Sequence, residues 1–347
     1  MTVALHAAFR DQAGHCEALD SPFMGRLLRL LADNWPEDTA LAAKLAGWQG
    51  DIGPMAASLP LRTTGGLHAL VLNGMDADLA AVYPPHEAGD APLWQAVEAA
   101  LRRHDQWLCD WVDNAPQTNE VRRAVAMIAT SHLLADRYDL PVRLSELGAS
   151  GGLNLMFDRF ALHLNGTLYG SANSPVALSP DWQGPLPPQS RPRITDRRGV
   201  DLNPLQAQNP DGALRLLAYL WPDQTERMER TRAAIALQEA KVDRADAIDW
   251  LEQRLEGRFD GLHLIYHTIA WQYFPDAVQT RGKALIETAG DAATESRPLA
   301  WLRMEADADT PGAGLSLRLW PGDRQIDLGR IDFHGRWVYW RGPDGLS

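Results

Sequence analysis

The stretch Arg143–Asn154, RLSELGASGGLN, constrains this chain more than any other. A short apolar run ends in Glu146, three glycines follow at Gly148, Gly151 and Gly152, and helical periodicity resumes at Leu153. A glycine turn between a strand and a helix lets backbone approach a ligand closely and aims N–H groups at it. Two common loops of this kind do not match. The dinucleotide fingerprint G-x-G-x-x-G, started at Gly148, needs glycine at 150 and Gly or Ala at 153, where the chain has Ser150 and Leu153. The P-loop needs Gly-Lys-Ser/Thr, where the chain has Gly152-Leu153-Asn154. A phosphate would also face the carboxylate of Glu146, and like charges repel. An acid two residues before the first glycine suits a cationic or hydroxyl-rich ligand instead.

The turn sits in a strand–helix alternation. Strand-like runs at 142–147, 193–201, 241–249, 262–267 and 299–305 alternate with helical segments at 153–160, 210–220, 223–240, 249–256 and 275–289. The runs LSLRLW (315–320) and RIDFHGRWVYW (330–340), parted by Pro321-Gly322-Asp323, predict a closing antiparallel pair. This pattern predicts an α/β fold with a mostly parallel sheet, whose ligands bind at the carboxyl ends of the strands. That edge would carry Glu146–Gly152, Asp201, Asp246 and His267.

Residues 1–139 show only helical periodicity, so the chain divides into a helical region 1–139 and an α/β domain 140–347. Helices are expected at 23–31, 39–47, 67–82, 93–112 and 119–138, the last capped by Thr118, with 50–66 as a loop. The Pro- and Gly-rich stretch 163–192 is expected to hold a hairpin or two and no long helix. Gln117, Asn119 and Glu120, at the start of the last helix, read either as capping residues or as the lining of a substrate cleft.

The net charge of −12 and the lack of a Lys/Arg cluster argue against a nucleic-acid surface. The short run Arg191, Arg193, Arg197, Arg198 is interleaved with Pro and Asp and reads as a solvated loop. Cys16 and Cys109 are far apart, which suits a reducing compartment. No apolar run approaches the roughly 18 residues of a membrane span, and no signal peptide is expected, so the cytoplasm is the expected location. The thirteen tryptophans predict bulky cores. His263 and His267 share a strand face, but no third ligand has fitting spacing, so no metal is expected.

With these residues in view, E-L-G-A-S-G-G resembles motif I of the class I S-adenosylmethionine-dependent methyltransferases, with Glu146, Gly148 and Gly152 matching and Ser150 in place of the middle glycine. GVDLNP (199–204) resembles the superfamily's second motif, and Asp246-Ala247 its third. The resemblance implies a Rossmann-like methyltransferase fold with an insertion near 163–192 between the first helix and the second strand. It also implies an S-adenosylmethionine site in which the loop with Gly148, Ser150 and Gly152 passes under the cofactor and Glu146 neighbours its methionyl end. Asp201 would take the ribose hydroxyls, while Asp246 and Ala247 would contact adenine. PQTNEV (116–121), ELGASGGLNL (146–155), WPDQ (221–224) and FHGRWV (333–338) together resemble an uncharacterised bacterial family, a domain of unknown function.

Methyl transfer rests mainly on positioning, helped by a base when the acceptor carries a proton. The end of the fourth strand makes His267 the candidate base, with Trp271 and Tyr273 joining Gln117, Asn119 and Glu120 around a substrate cleft. The chain lacks the N/D-P-P-Y/F box of nucleobase amine methylases. The expected function is therefore a methyltransferase acting on a small molecule. The alternative is a catalytically inactive methyltransferase-like binding or interaction protein. The sequence names neither the acceptor nor the oligomeric state.

Overall fold

The computed structural model describes residues 1–53 and 56–342. They form two compact units, Met1–Thr118 with Pro210–Glu229, and Asn119–Asn209 with Arg230–Ser347. The first unit thus takes back a segment from the second half of the chain, and the helix before the glycine turn belongs to the second.

The first unit is helical. Its elements are α1 (Val3–Ala18), α2 (Pro22–Asn34), α3 (Ala40–Ala46), α4 (Leu59–Leu72), α5 (Ala77–Ala80), α6 (Asp90–Arg103) and α7 (Asp105–Trp111). Leu27, Leu28 and Leu31 of α2 and Leu67 and Leu70 of α4 are buried in one apolar cluster with Phe9, Val97 and Leu108. Burying such side chains contributes about 1.5–3 kcal/mol each before the entropy of ordering is counted.

Two expectations need correction here. The Gly- and Thr-rich stretch expected as a loop is the first half of α4. Thr63 and Thr64 turn their hydroxyls onto the carbonyls of Leu59 and Pro60, both at 3.0 Å. Glycine stands at position 65 of this helix because a side chain would not fit, as a Cβ there would lie 2.6 Å from the ring of Tyr219. The single helix expected at 93–112 is broken at His104. There Asp105 leaves the helical register of α6 and accepts the N–H groups of Ala40 and Leu41 at 2.7 and 2.8 Å, capping α3.

The second unit opens with a 3-10 turn, Val121–Arg123, and α8 (Ala124–Tyr138). The helix therefore starts later than expected, and Thr118 does not cap it. Glu120 accepts from the N–H of Arg122 at 3.1 Å instead. Then come β1 (Pro141–Leu147), a 3-10 helix over Leu153–Arg159 where an α-helix was expected, and β2 (Ala161–Leu164), β3 (Thr167–Gly170), β4 (Ala177–Leu178) and β5 (Asp181–Gln183). The strand β6 (Arg193–Asp201) is followed by α9 (Pro210–Ala218) and α10 (Thr225–Leu237), with the boundary between units falling inside α10. The chain closes with β7 (Lys241–Arg244), α11 (Ala247–Glu256), β8 (Leu262–Thr268), α12 (Asp276–Asp291), β9 (Leu299–Glu305), β10 (Ala313–Trp320), β11 (Arg324–Ile331) and β12 (Trp337–Trp340).

One nine-stranded sheet organises this unit, in the order β5-β12-β11-β10-β9-β8-β1-β6-β7. The pairs β7–β6, β6–β1, β1–β8 and β8–β9 are parallel, whereas β9–β10, β10–β11 and β11–β12 are antiparallel. The fold is therefore mixed α/β with a large, mostly parallel central sheet. The five parallel strands run in the doubly wound order, which reverses between β1 and β8. The closing pair expected at 315–320 and 330–340 is a three-stranded meander. The second run splits at the turn Asp332–Arg336, and β10 pairs with a strand that begins at Arg324. β2 and β3 form the hairpin expected in the 163–192 stretch, and β5 pairs in parallel with β12 at the sheet edge.

α11 and α12 cover one face of the sheet, where Ile248, Leu251 and Ile286 pack with Leu147, Ile265 and Trp301. By alternation, Glu146 and Tyr266 point to the opposite face. Among the described residues no helix is long and apolar enough to cross a membrane.

WPDQ is a structural tie within the first unit. Asp223 accepts from the Ser21 hydroxyl at 2.5 Å and the Phe23 N–H at 2.9 Å, so it caps α2 rather than its own helix. Gln224 donates to the Leu19 carbonyl at 3.1 Å. Asp223→Ala is expected to cost about 1–2 kcal/mol in urea unfolding followed by tryptophan fluorescence. An unchanged midpoint would show that α2 does not depend on this cap.

Candidate functional site

The turn after β1 is built from left-handed backbone. Gly148, Ser150 and Gly152 have φ of +72°, +53° and +70°. Glycine takes this conformation without strain, whereas a serine there costs about 1–2 kcal/mol. Ser150 thus does the conformational work of the missing middle glycine. Gly148 cannot be replaced for a second reason, since a Cβ would lie 2.6 Å from the Ala270 methyl.

Such a turn leaves most of its amides without internal partners, and side chains from distant elements supply them. Asp201, at the end of β6, accepts the Ser150 N–H at 2.9 Å on one oxygen and the Asn203 N–H at 2.9 Å on the other. Asn119 Oδ1 accepts the Leu153 N–H at 2.9 Å, and Asn154 donates to the Glu120 carbonyl at 3.1 Å. Gln238, after α10, donates to the Gly151 carbonyl at 2.9 Å. Asn119 and Glu120 are therefore buried struts of the turn. Gln117 lies in the first unit, half-buried. At the turn and just after it, Ser150 Oγ and Asn154 Oδ1 are buried without a hydrogen-bond partner among the described residues.

Glu146 lies under this turn, 2% exposed. Burial pushes its carboxyl up to about 8, against a weaker opposing effect from the Tyr266 hydroxyl, which donates to Oε2 at 3.3 Å. At neutral pH Glu146 is therefore largely protonated, poised to ionise when a cation comes near.

Asp246 lies one strand further along the same edge. One of its oxygens caps α11, accepting from Ile248 and Asp249 at 2.9 and 3.1 Å. Ala247 begins that helix and is buried in its apolar cluster. The strand ends thus bring Glu146, Gly148, Ser150, Gly152, Asp201 and Asp246 to one edge of one sheet.

His267 sits differently from what its strand-end position suggested. It is fully buried and stacked on Trp271, with centroids 4.9 Å apart. Trp301 Nε1 donates to its Nε2 at 3.0 Å, and its Nδ1 meets Glu305 Oε1 at 2.6 Å. Burial holds the imidazole below its usual range. Burial also disfavours ionised Glu305, but the His267 bond and the N–H groups of Ala270 and Trp271, both at 3.1 Å, outweigh it and hold the carboxyl below its usual range. His267 is a neutral ring donating from Nδ1 to a carboxylate, with no nitrogen left for a substrate. Its place as a base is therefore corrected to that of a brace for the turn 269–271. Trp271 is buried in the same stack, whereas Tyr273 is 62% exposed. His263, at the other end of β8, meets Ser145 Oγ at 2.8 Å, so the two histidines do not form a pair.

Sequence reasoning missed Gln238, Tyr266, Arg123 and Glu305. Glu305 carries a readable signal, an acid at a strand end like Asp201. Arg123 donates to the carbonyls of Thr268 at 3.1 Å and Phe333 at 2.9 Å, tying the 3-10 turn Val121–Arg123 to the β11–β12 turn. Gly335 of that turn packs against the same segment, where a Cβ would lie 2.5 Å from the Arg122 carbonyl oxygen. Gln238 and Tyr266 lie in no pattern of period or motif.

Fold and site together define a Rossmann-like α/β protein with a glycine turn at the point where strand order reverses. The chain belongs to the family described as "Uncharacterized protein conserved in bacteria (DUF2332)", whose family model matches residues 6–340. No curated protein and no solved structure matches it.

The raised Glu146 carboxyl makes stability depend on pH. Its folded value of about 8 exceeds the ordinary 4.5. The proton-linked stability is complete below 4.5 and is lost as pH rises through about 8. Glu146→Gln, which cannot ionise, is expected to melt increasingly above the wild type as pH rises from about 5 to about 8. Parallel melting curves across that range would mean that Glu146 ionises normally in the folded protein.

Proposed function

We propose that this protein binds S-adenosylmethionine over the turn Gly148–Gly152 and is a methyltransferase acting on a small molecule. The observation that carries the reading is the left-handed turn at the switch in strand order, with Asp201 and Asp246 at the next two strand ends. In such sheets this is where ligands bind.

Each residue has a role in this reading. Each Asp201 oxygen accepts one backbone N–H, and the carboxylate lies toward the ribose hydroxyls. Asp246 and Ala247 lie toward the adenine. Glu146 ionises as the cationic methionyl end approaches. Ser150 Oγ and Asn154 Oδ1 gain the polar partner they lack among the described residues. The cofactor supplies an activated methyl group, and the chain contributes orientation and exclusion of water. His267 acts through the 269–271 turn and is not the base.

A second reading is favoured by two observations. His267 is sequestered, and one oxygen of Asp246 is spent on capping a helix. In that reading the protein is a catalytically inactive methyltransferase-like binding or interaction module.

Calorimetric titration with S-adenosylmethionine and S-adenosylhomocysteine tests the proposal. Binding is expected, and Asp201→Ala should weaken it by about 1.5–3 kcal/mol through the lost charge-assisted bonds. No heat at millimolar ligand, from protein shown by native mass spectrometry to carry no adenosyl compound, would sink it. Binding without transfer to any of a panel of small acceptors would favour the second reading.

A further inference from the structure

Arg303 and Glu305 lie two apart on β9 and so share a face. With Asp307, Ser316, Asp327 and Arg330 they line a pocket of about 270 Å³. Most charges in its wall are matched. Arg330 grips both oxygens of Asp307 at 2.8 and 2.6 Å, and Arg341 pairs with Asp327.

Two groups are not matched. Glu305 is 8% exposed, and all three of its hydrogen bonds fall on Oε1. Its Oε2 is buried with no hydrogen-bond partner among the described residues. The Arg303 guanidinium lies 5.0 Å from the Trp301 ring centroid, and its Nε is likewise buried with no partner. Buried polar atoms in folded proteins are nearly always satisfied, and an unsatisfied charged one is costly. Arg303 and Glu305 attract each other across this pocket, yet one buried nitrogen of the first and one buried oxygen of the second have no hydrogen-bond partner among the described residues.

We propose that this pocket binds a small zwitterion of the α-amino-acid type, its carboxylate on Arg303 and its ammonium on Glu305 Oε2. Four acids (Glu305, Asp307, Asp309 and Asp327) line it against three arginines (Arg303, Arg330 and Arg341), which disfavours a bare anion. A bare cation would leave Arg303 unneutralised. Gly314 keeps the wall open, since a Cβ there would lie 2.3 Å from the Asp307 carboxylate. The volume suits a few heavy atoms beyond the two charged groups. None of these residues belongs to the glycine turn, so the inference does not depend on the adenosyl reading.

Calorimetry of the full chain with glycine, alanine and serine tests it, with acetate and methylamine as half-ligands. At least one amino acid should bind, with both half-ligands weaker by about tenfold or more. Arg303→Gln, at a partly exposed position, should lower the affinity by about tenfold or more while the melting temperature holds. Glu305→Gln keeps an Oε1 acceptor for the turn and should lose the preference for amino acids over acetate. The proposal is overturned if no amino acid binds at about 10 mM. It is overturned equally if a half-ligand binds as tightly, or if Arg303→Gln binds unchanged. Loss of amino-acid binding in Asp201→Ala would move the ligand to the glycine turn and also overturn it. Failure of S-adenosylmethionine to bind leaves it standing.

Discussion

The backbone of the turn Gly148–Leu153 is what the rest of the second unit depends on. Three left-handed residues in five reverse the chain tightly and leave its amides facing outward. A buried amide without a partner costs about as much as a lost hydrogen bond, so other segments must be brought to it. The Val200 carbonyl accepts from Gly148 and Ala149, both at 3.0 Å, Asp201 and Asn119 accept from Ser150 and Leu153, and Gln238 donates to the Gly151 carbonyl. The end of β6, the approach to α8 and the end of α10 are fixed by one local need. Asp201 illustrates the economy of this arrangement, since one carboxylate closes the turn at Ser150 and holds the bend at Asn203.

A second node repeats the device further along the sheet edge. Glu305, at the end of β9, gathers the His267 ring and the amides of Ala270 and Trp271 on a single oxygen. The aromatic stack of His267, Trp271 and Trp301 keeps water away, which strengthens each of these bonds. The two nodes touch at Gly148, whose Cα hydrogen faces the Ala270 methyl in a space too small for a side chain. Glu146 and Glu305 show how surroundings divide similar side chains. The first receives one hydrogen bond at 3.3 Å and is held protonated by burial, whereas the second receives three and stays ionised.

Much of this was legible in the residues. The parallel strands announced themselves by short apolar runs, and those that end in acids marked the sheet edge. Glu146, Asp201 and Asp246 were found because strand ends and glycine turns are local features. His267 was misread by the same rule. Its position marks a strand end, but its neighbours Trp301 and Glu305 lie on another strand, and no spacing encodes them. The glycines of α4 were misread as loop because the Tyr219 ring that explains Gly65 is far away in sequence. His104 breaks a periodic helix for an equally distant reason, as Asp105 is needed at the start of α3.

The sequence alone determined the alternation of strand and helix, the acid-bearing edge, the helical character of the N-terminal region and the glycine turn. Each follows from hydrophobic period and backbone preference, which act over a few residues. The tertiary structure decided the rest. It set the division into units that returns Pro210–Glu229 to the first, the meander β10–β12, the Asn119 strut and the capping of α2 by Asp223. It also decided that Ser150 stands in for a glycine and that His267 is a brace. These depend on buried polar groups finding partners across long stretches of chain, and only the folded packing selects the partner.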